Sequence, residues 1–325
     1  MKILLTHTPF MRENYYGARA LKGLREIAEV HTHEGTDPLN PDELIITSAN
    51  ADIIIADRMT AVPAKVFTHL PNLKAVLRCA VDVRNIDVDA ASSQGILVTH
   101  AKPGFIESVA ELTIGYLVDL SRGVSHYSNT YRSGIVPKAV MGRQLSGTNL
   151  GIVGYGAIAR HLAHLAHVMG MCVSIYDPYV IAKEDHVEQV IFEELLKKSD
   201  HVVCLAVATE ETENLFDYSA FQKMKNDAYF INPSRGNLVD EPSLVKALKE
   251  GLIAGAALDV GRALDQMPTP HIAQLPNVIA TPHIGGLTPP AIMAQSLDTV
   301  EQTNELAKGA IPHGSLNAKD WRRRI

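Results

Sequence analysis

The sequence predicts an α/β protein of two domains, each a mainly parallel sheet wound with helices. Three observations lead there. The 325 residues exceed one ordinary domain. Short apolar runs alternate with helix-period segments in two successive series, which implies right-handed crossovers between parallel strands. The second series alone opens with a glycine-rich turn between its first strand and first helix.

That turn is Leu150-Gly151-Ile152-Val153-Gly154-Tyr155-Gly156-Ala157-Ile158-Ala159, a G-x-G-x-x-G/A spelling. Gly154 suits a tight turn, Gly156 lets the backbone approach a pyrophosphate, and Ala159 lets the helix pack closely on the strand. The pyrophosphate is expected on the unsatisfied N–H groups that open the helix. Ile158, Leu162, Leu165, Ala166 and Met169 then recur at helical spacing, with Gly170 as a stop. Cys172–Tyr176 reads as the next strand, ending at Asp177-Pro178. An acid about 20 residues beyond the glycines suits a ribose 2′-hydroxyl and repels a 2′-phosphate, although Asp before Pro is also a turn former. Turn, helix, strand and acid together favour NAD over NADP.

In the first series, Ile3–Thr6 is a strand and Tyr16–Val30 is helical in pattern. Ala51–Ala56 is an apolar strand covered on both faces. Val62–Leu70 reads as a helix stopped by Pro71, and Lys74–Cys79 and Ile96–Thr99 as strands. Lacking a nucleotide turn, this series is the candidate substrate domain. A long helix from Ile106 to Ser121, with Val109, Leu112, Thr113, Tyr116, Leu117 and Leu120 on its apolar side, connects to the second series. There the strands are Val202–Leu205, Tyr229–Asn232, Ala254–Asp259 and Val278–Ala280, and Pro242–Glu250 is a helix ended by Gly251. The helix Pro289–Leu306 is expected to return to the first domain.

An apolar share of 46% with 20% charged residues suits a globular protein, and a net charge of -6 argues against nucleic-acid or anionic-membrane partners. Arg322-Arg323-Arg324 reads as a solvated tail. No apolar run reaches the ~20 residues of a membrane span, and no signal-peptide pattern opens the chain, so a cytoplasmic protein is expected. Cys79, Cys172 and Cys204 lack metal spacing and read as buried small hydrophobes in a reducing compartment. His161, His164 and His167 recur every three residues; a polar helix face is favoured over a zinc site, and no metal is expected.

Together with this turn, Asn85-Ile86-Asp87, Val109-Ala110-Glu111, Ile231-Asn232-Pro233-Ser234-Arg235-Gly236, Gly255–Val260 and Asn277–Gly286 stand in an order that resembles the D-isomer-specific 2-hydroxyacid dehydrogenases. The resemblance covers most of the chain. It implies a Rossmann NAD-binding domain, residues 101–287, inserted into a flavodoxin-like substrate domain, residues 1–100 and 288–325. It also implies hydride transfer between NAD(H) and C2 of a small 2-oxo or 2-hydroxy acid, of the 3-phosphoglycerate or hydroxypyruvate/glyoxylate type, in a homodimer. By the same resemblance Arg235 holds the substrate acid and His283 moves the proton, chemistry that suits a planar guanidinium fork and an imidazole titrating near neutrality. Asp259 would bind the nicotinamide carboxamide. The remaining cofactor contacts implied are Gly154, Tyr155, Gly156, Ala157, Ile158, Asp177, Ala206, Val207, Thr212, Pro233, Ser234, Gly285 and Gly286, and Ala80, Val81 and Asp82 would meet substrate.

Three positions depart from the family pattern. Leu264 stands where a glutamate usually pairs with the histidine, and Asp265 is expected to take that role, with a formate-type arrangement that lacks a carboxylate partner as the rival. Ala80 and Asp82 stand in a loop usually rich in glycine, with Arg84 expected as a salt-bridge partner of Asp82 rather than an anion contact. Leu205–Thr209 lacks the usual proline near the adenine. The departures keep a second reading open, an NAD(H)-sensing binding protein on the same scaffold, as in the C-terminal binding protein corepressors.

Overall fold

A computed structural model describes residues 1–324, and of Asp265 the backbone alone. The chain divides into two compact units, Met1–Phe105 with Leu287–Ile325, and Ile106–Gly286. The first crossing lies five residues past the boundary expected at residue 100. Ala101–Phe105 still belongs to the first unit: Lys102 N–H donates to the buried Asp298 carboxylate at 2.9 Å, and Gly104 packs on Ala291 and Ala294 so closely that a β-carbon would lie 2.5 Å from Ala294.

In the first unit, β1 (Lys2–Leu5), β2 (Glu29–Thr32), β3 (Ile53–Ala56), β4 (Ala75–Arg78) and β5 (Leu97–His100) form a parallel sheet of order β2-β1-β3-β4-β5. Four-residue runs such as Ile53–Ala56 are buried throughout because helices cover both faces. One apolar layer joins the sheet to Leu24, Leu306 and Trp321, the other to Leu44, Val66 and Phe67. The helix Pro289–Ala307 belongs to this unit.

In the second unit, β6 (Asn149–Val153), β7 (Cys172–Tyr176), β8 (Val187–Gln189), β9 (His201–Cys204), β10 (Tyr229–Asn232), β11 (Gly255–Leu258) and β12 (Val278–Ala280) form a parallel sheet of order β12-β11-β10-β9-β6-β7-β8. β6 has β7 on one side and β9 on the other, so the order reverses at its carboxyl end, the place where doubly wound sheets bind ligands. Helices Ile106–Arg122 and Ala157–Val168 cover one face, and Phe192–Lys198, Tyr218–Lys223 and Glu241–Glu250 the other.

Two expectations are corrected. Cys172 is exposed at the start of β7, whereas Cys79 and Cys204 are buried. The basic tail is docked rather than solvated: Trp321 is buried, and Arg323 Nη1 donates to the carbonyls of Leu70, Pro71 and Leu73. Those carbonyls belong to the turn that follows the helix Ala64–His69, so a guanidinium ties that turn to the end of the chain.

Candidate functional site

At the end of β6 the two glycines of the turn do different work. Gly154 has φ +91°, and a β-carbon there would lie 2.6 Å from the backbone of Ala206. Gly156 is exposed, and a β-carbon would meet nothing within 4 Å. Gly156 caps the helix Ala157–Val168 without any side-chain hydrogen bond, so the first N–H groups of that helix keep their capacity for an anion. Ala159 is buried against the sheet, and Tyr155 is fully buried. These features fit a dinucleotide pyrophosphate: the backbone is bare on the exposed side and close-packed on the other.

Asp177, one residue past β7, is built into this turn. Its Oδ2 accepts from Tyr155 N–H at 2.7 Å, and its Oδ1 accepts from Tyr179 and Val180 N–H at 2.8 and 3.0 Å. The acid expected on the ribose therefore also fixes the pyrophosphate loop. A surface depression of about 550 Å³ next to it is bordered by Glu188 and Glu194 as well. Glu188 and Glu194 thus add negative charge near Asp177. Beyond β9, Thr212 Oγ1 donates to Val207 O at 2.7 Å and Ser234 Oγ donates to Ala206 O at 2.9 Å, which orders Leu205–Thr209 without a proline.

The three adjacent strands β10, β11 and β12 end on the residues expected to react. Asn232, the last residue of β10, donates from Nδ2 to Arg235 O at 2.9 Å and accepts Ser234 N–H at 3.1 Å, with Pro233 buried between them. Gly236 lies so close to Gly261 that a β-carbon would stand 2.0 Å from its carbonyl oxygen, which fixes where half-buried Arg235 leaves the sheet. Asp259 follows β11 and is 1% exposed. Its Oδ1 accepts from Thr281 Oγ1 at 2.6 Å and Ile284 N–H at 2.8 Å, and its Oδ2 accepts from Gly285 N–H at 2.7 Å. Its carbonyl accepts His283 N–H at 2.9 Å. His283 itself has φ +55°, a left-handed conformation uncommon outside glycine. The Asp259 carboxylate thus holds the strained loop that presents the histidine. Tyr116 Oη, hydrogen-bonded to Thr281 Oγ1, extends the network, and burial raises its pKa. Tyr116 carries no motif and stood in the sequence only on an apolar helix face, and Thr281, inside the Asn277–Gly286 block, had no role of its own there.

Leu264 is 80% exposed. Asp265 lies in the 3₁₀ turn Leu264–Gln266, and the side chain to which the charge-pair role falls is outside the described residues. In the first unit, Ala80, Val81 and Asp82 follow β4 at its carboxyl end and are half-buried. Arg84 Nε donates to both Asp82 oxygens at 3.0 and 2.9 Å, the pairing expected. Arg78, last in β4, was not singled out by sequence. It is 3% exposed, donates from Nε to Asp82 O at 3.0 Å and from Nη1 to Ala56 O at 3.1 Å, and burial lowers its pKa. A buried cation held by backbone carbonyls thus ties down the expected substrate loop.

Among the described residues, Asp298, Glu301 and His313 are the group spaced for a metal. Lys102 Nζ lies 3.5 Å from Asp298 and 3.1 Å from Glu301, so an ammonium already neutralises them. His164 and His167 are exposed, and their rings pack against His186 at 6.1 and 5.0 Å.

Residues 114–285 match the family described as D-isomer specific 2-hydroxyacid dehydrogenase, NAD binding domain. The chain belongs to the D-isomer specific 2-hydroxyacid dehydrogenase family. It is 34% identical over 303 residues to the D-3-phosphoglycerate dehydrogenase of Methanocaldococcus jannaschii, covering 92% of this chain and 57% of that one. The chain therefore spans a little over half the length of that relative. With the glyoxylate reductase of Thermofilum pendens it shares 32% identity over 310 residues, 91% of each chain. The crystal structure of the TT0316 protein from Thermus thermophilus superposes with a TM-score of 0.87 at 30% identity, covering 97% of this chain and 100% of that one. In this family member the second unit is the NAD-binding domain, and the sheet and turn described above are its Rossmann fold. No helix among the described residues is long and apolar enough to cross a membrane.

Proposed function

We propose that this dehydrogenase-family chain is an NAD-dependent oxidoreductase that interconverts a small 2-oxo acid and its 2-hydroxy acid. One observation carries the reading: three neighbouring parallel strands end on Arg235, Asp259 and His283, and Asp259 holds the loop of His283. NAD(H), held by Gly156–Ile158, Asp177, Val207 and Thr212, supplies or accepts the hydride. Asp259, Gly285, Gly286, Pro233 and Ser234 border its nicotinamide end.

Arg235 binds the substrate carboxylate through its planar fork and polarises the carbonyl. His283 donates a proton to the carbonyl oxygen in reduction and removes it in oxidation. Asp265 would supply the carboxylate that keeps that imidazole protonated until transfer. In the first unit Arg78 fixes the backbone of the Ala80–Asp82 loop, the loop that the family resemblance assigns to substrate. The first unit is accordingly the substrate domain. The protein works as a cytoplasmic homodimer. Support for pairing comes from the helix Val124–Arg132, which has no buried residue, and from the exposed side chains that follow it.

Steady-state assay of glyoxylate, hydroxypyruvate, pyruvate and 3-phosphohydroxypyruvate with NADH and NADPH in parallel tests the reading. We expect turnover with NADH and a kcat/KM at least about tenfold lower with NADPH, from like-charge opposition at Asp177. Tight NADH binding without turnover of any acid would instead support the sensor reading. In the same assay, Asp265→Asn should shift the pH–rate profile; an unchanged profile removes Asp265 from the mechanism.

A further inference from the structure

Arg262 has no part in the chemistry above, yet it joins three loops of the second unit. It stands in the loop after β11, in the segment that departs from the family pattern at Leu264. Its side chain is 36% exposed, and its guanidinium reaches the loops after β9 and β10. Nε donates to Val239 O at 3.2 Å, and Nη2 lies 3.0 Å from Val239 O and 3.1 Å from Asn237 O. Nη2 also meets the side-chain oxygen of Asn214 and lies 2.9 Å from Glu213 Oε1. A planar fork can hold several oxygens at fixed angles, which a single ammonium cannot.

The arginine is itself anchored. Gly261 N–H donates to Gln266 O at 2.7 Å and Ala263 N–H to Met267 O at 3.0 Å, so its loop closes on both sides of it. A β-carbon on Gly261 would lie 2.5 Å from Pro268, which leaves that loop no room to slide. Arg235 is held from two directions. On its amino side, Asn232 donates to Arg235 O and accepts Ser234 N–H. On its carboxyl side the 3₁₀ turn Gly236–Leu238 leads to the Asn237 and Val239 carbonyls that face Arg262. Asn214, at φ +56°, gives its own N–H to Asn237 O at 2.8 Å and completes this second clamp. The first clamp is made within β10 and its turn; the second centres on Arg262.

We propose that Arg262 is a positioning residue for Arg235: it locks the turn after β10, so that the Arg235 fork is set in place before the substrate carboxylate arrives. Misplacing a substrate-holding group by about 1 Å costs on the order of 100-fold in rate. The inference rests on the 2-oxo acid reductase reading, in which Arg235 takes the carboxylate, and deepens it.

The test uses the 2-oxo acid that the wild type turns over best and compares Arg262→Met and Arg262→Lys, with melting followed by circular dichroism. Arg262→Met should raise KM for the acid at least about tenfold with a smaller change in kcat, because a binding contact is loosened. The NADH Kd should stay within about twofold, since Gly156 and Asp177 follow other strands. Arg262→Lys keeps a charge beside Glu213 and should recover part of the loss; it carries the test if the methionine variant fails to fold. In an Arg235→Gln background, where the fork is already gone, Arg262→Met should add no more than about a further twofold. An unchanged KM in folded variants, or an equal rise in both backgrounds, overturns the role of Arg262 and leaves the activity standing. Absence of turnover of any 2-oxo acid by the wild type overturns both.

Discussion

Asp259 and His201 show how single buried polar groups set the behaviour of the second unit. Asp259 is a carboxylate made tolerable by three donors, all from the loop that carries His283, so its charge is compensated by the structure it orders. His201 is the opposite case. It is fully buried at the start of β9, its Nε2 meets Ser121 Oγ at 2.9 Å, its ring stacks on Tyr229, and its Nδ1 is unpaired among the described residues. Burial lowers its pKa to about 4, with Arg143 adding to the effect. The unfolded chain takes up this proton near pH 6.5 and the folded one only near 4. Between those values the unfolded state binds more protons, so stability falls as pH falls. A difference of that size is on the order of 3 kcal/mol. We expect the melting temperature of the wild type to drop from pH 6.5 to 4 more steeply than that of His201→Phe, which keeps the stack on Tyr229. Parallel slopes would show that His201 exchanges no proton on unfolding.

At the scale of the element, the nucleotide turn separates a folding glycine from a binding one. Gly154 is required by its φ of +91° and by the Ala206 backbone against it, whereas Gly156 has open space on its exposed side. Gly156→Ala should leave the melting temperature within about 2 °C, because its φ of −80° suits alanine. The same variant should weaken NADH binding, measured by fluorescence titration, by at least about tenfold, if this turn holds the pyrophosphate as proposed. Unchanged NADH affinity would mean that the cofactor does not lie on this turn. Elements of this kind were legible because apolar period and punctuation agree over many residues, as in Ile106–Arg122 and Pro289–Ala307. Short ones were not. Pro41–Thr47 has only seven residues, too few to show a period, though its Asn40–Glu43 capping box with Pro41 at the start was written in the sequence. β8, only the three residues Val187–Gln189 at a sheet edge, exists because β7 offers it a partner.

For the whole molecule, the expected reacting residues could be read because parallel sheets gather strand ends, so Arg235, Asp259 and His283 each follow an apolar run. Arg78 also ends a strand, but its burial is decided by the first unit's packing, which no local motif announces. Assembly is likewise hidden from local pattern, yet one segment of the second unit bears on it. Val124, Tyr131, Ile135, Val136, Val140 and Met141 are between 56% and 98% exposed within eighteen residues. Six large apolar side chains exposed in one short segment invite a covering partner, and a helix with no buried residue gains little by folding alone. A second copy covering this arm would account for both, through a two-fold interface that places the same patch on each partner. Val136→Asp with Met141→Asp would bury two carboxylates at such an interface, at a cost large enough to separate the copies. Light scattering should then give about twice the 35.4 kDa chain mass for the wild type and a single chain mass for the double variant, with circular dichroism unchanged. A wild type that runs as a monomer at micromolar concentration, or a double variant of unchanged mass, would rule this arm out as the dimer contact.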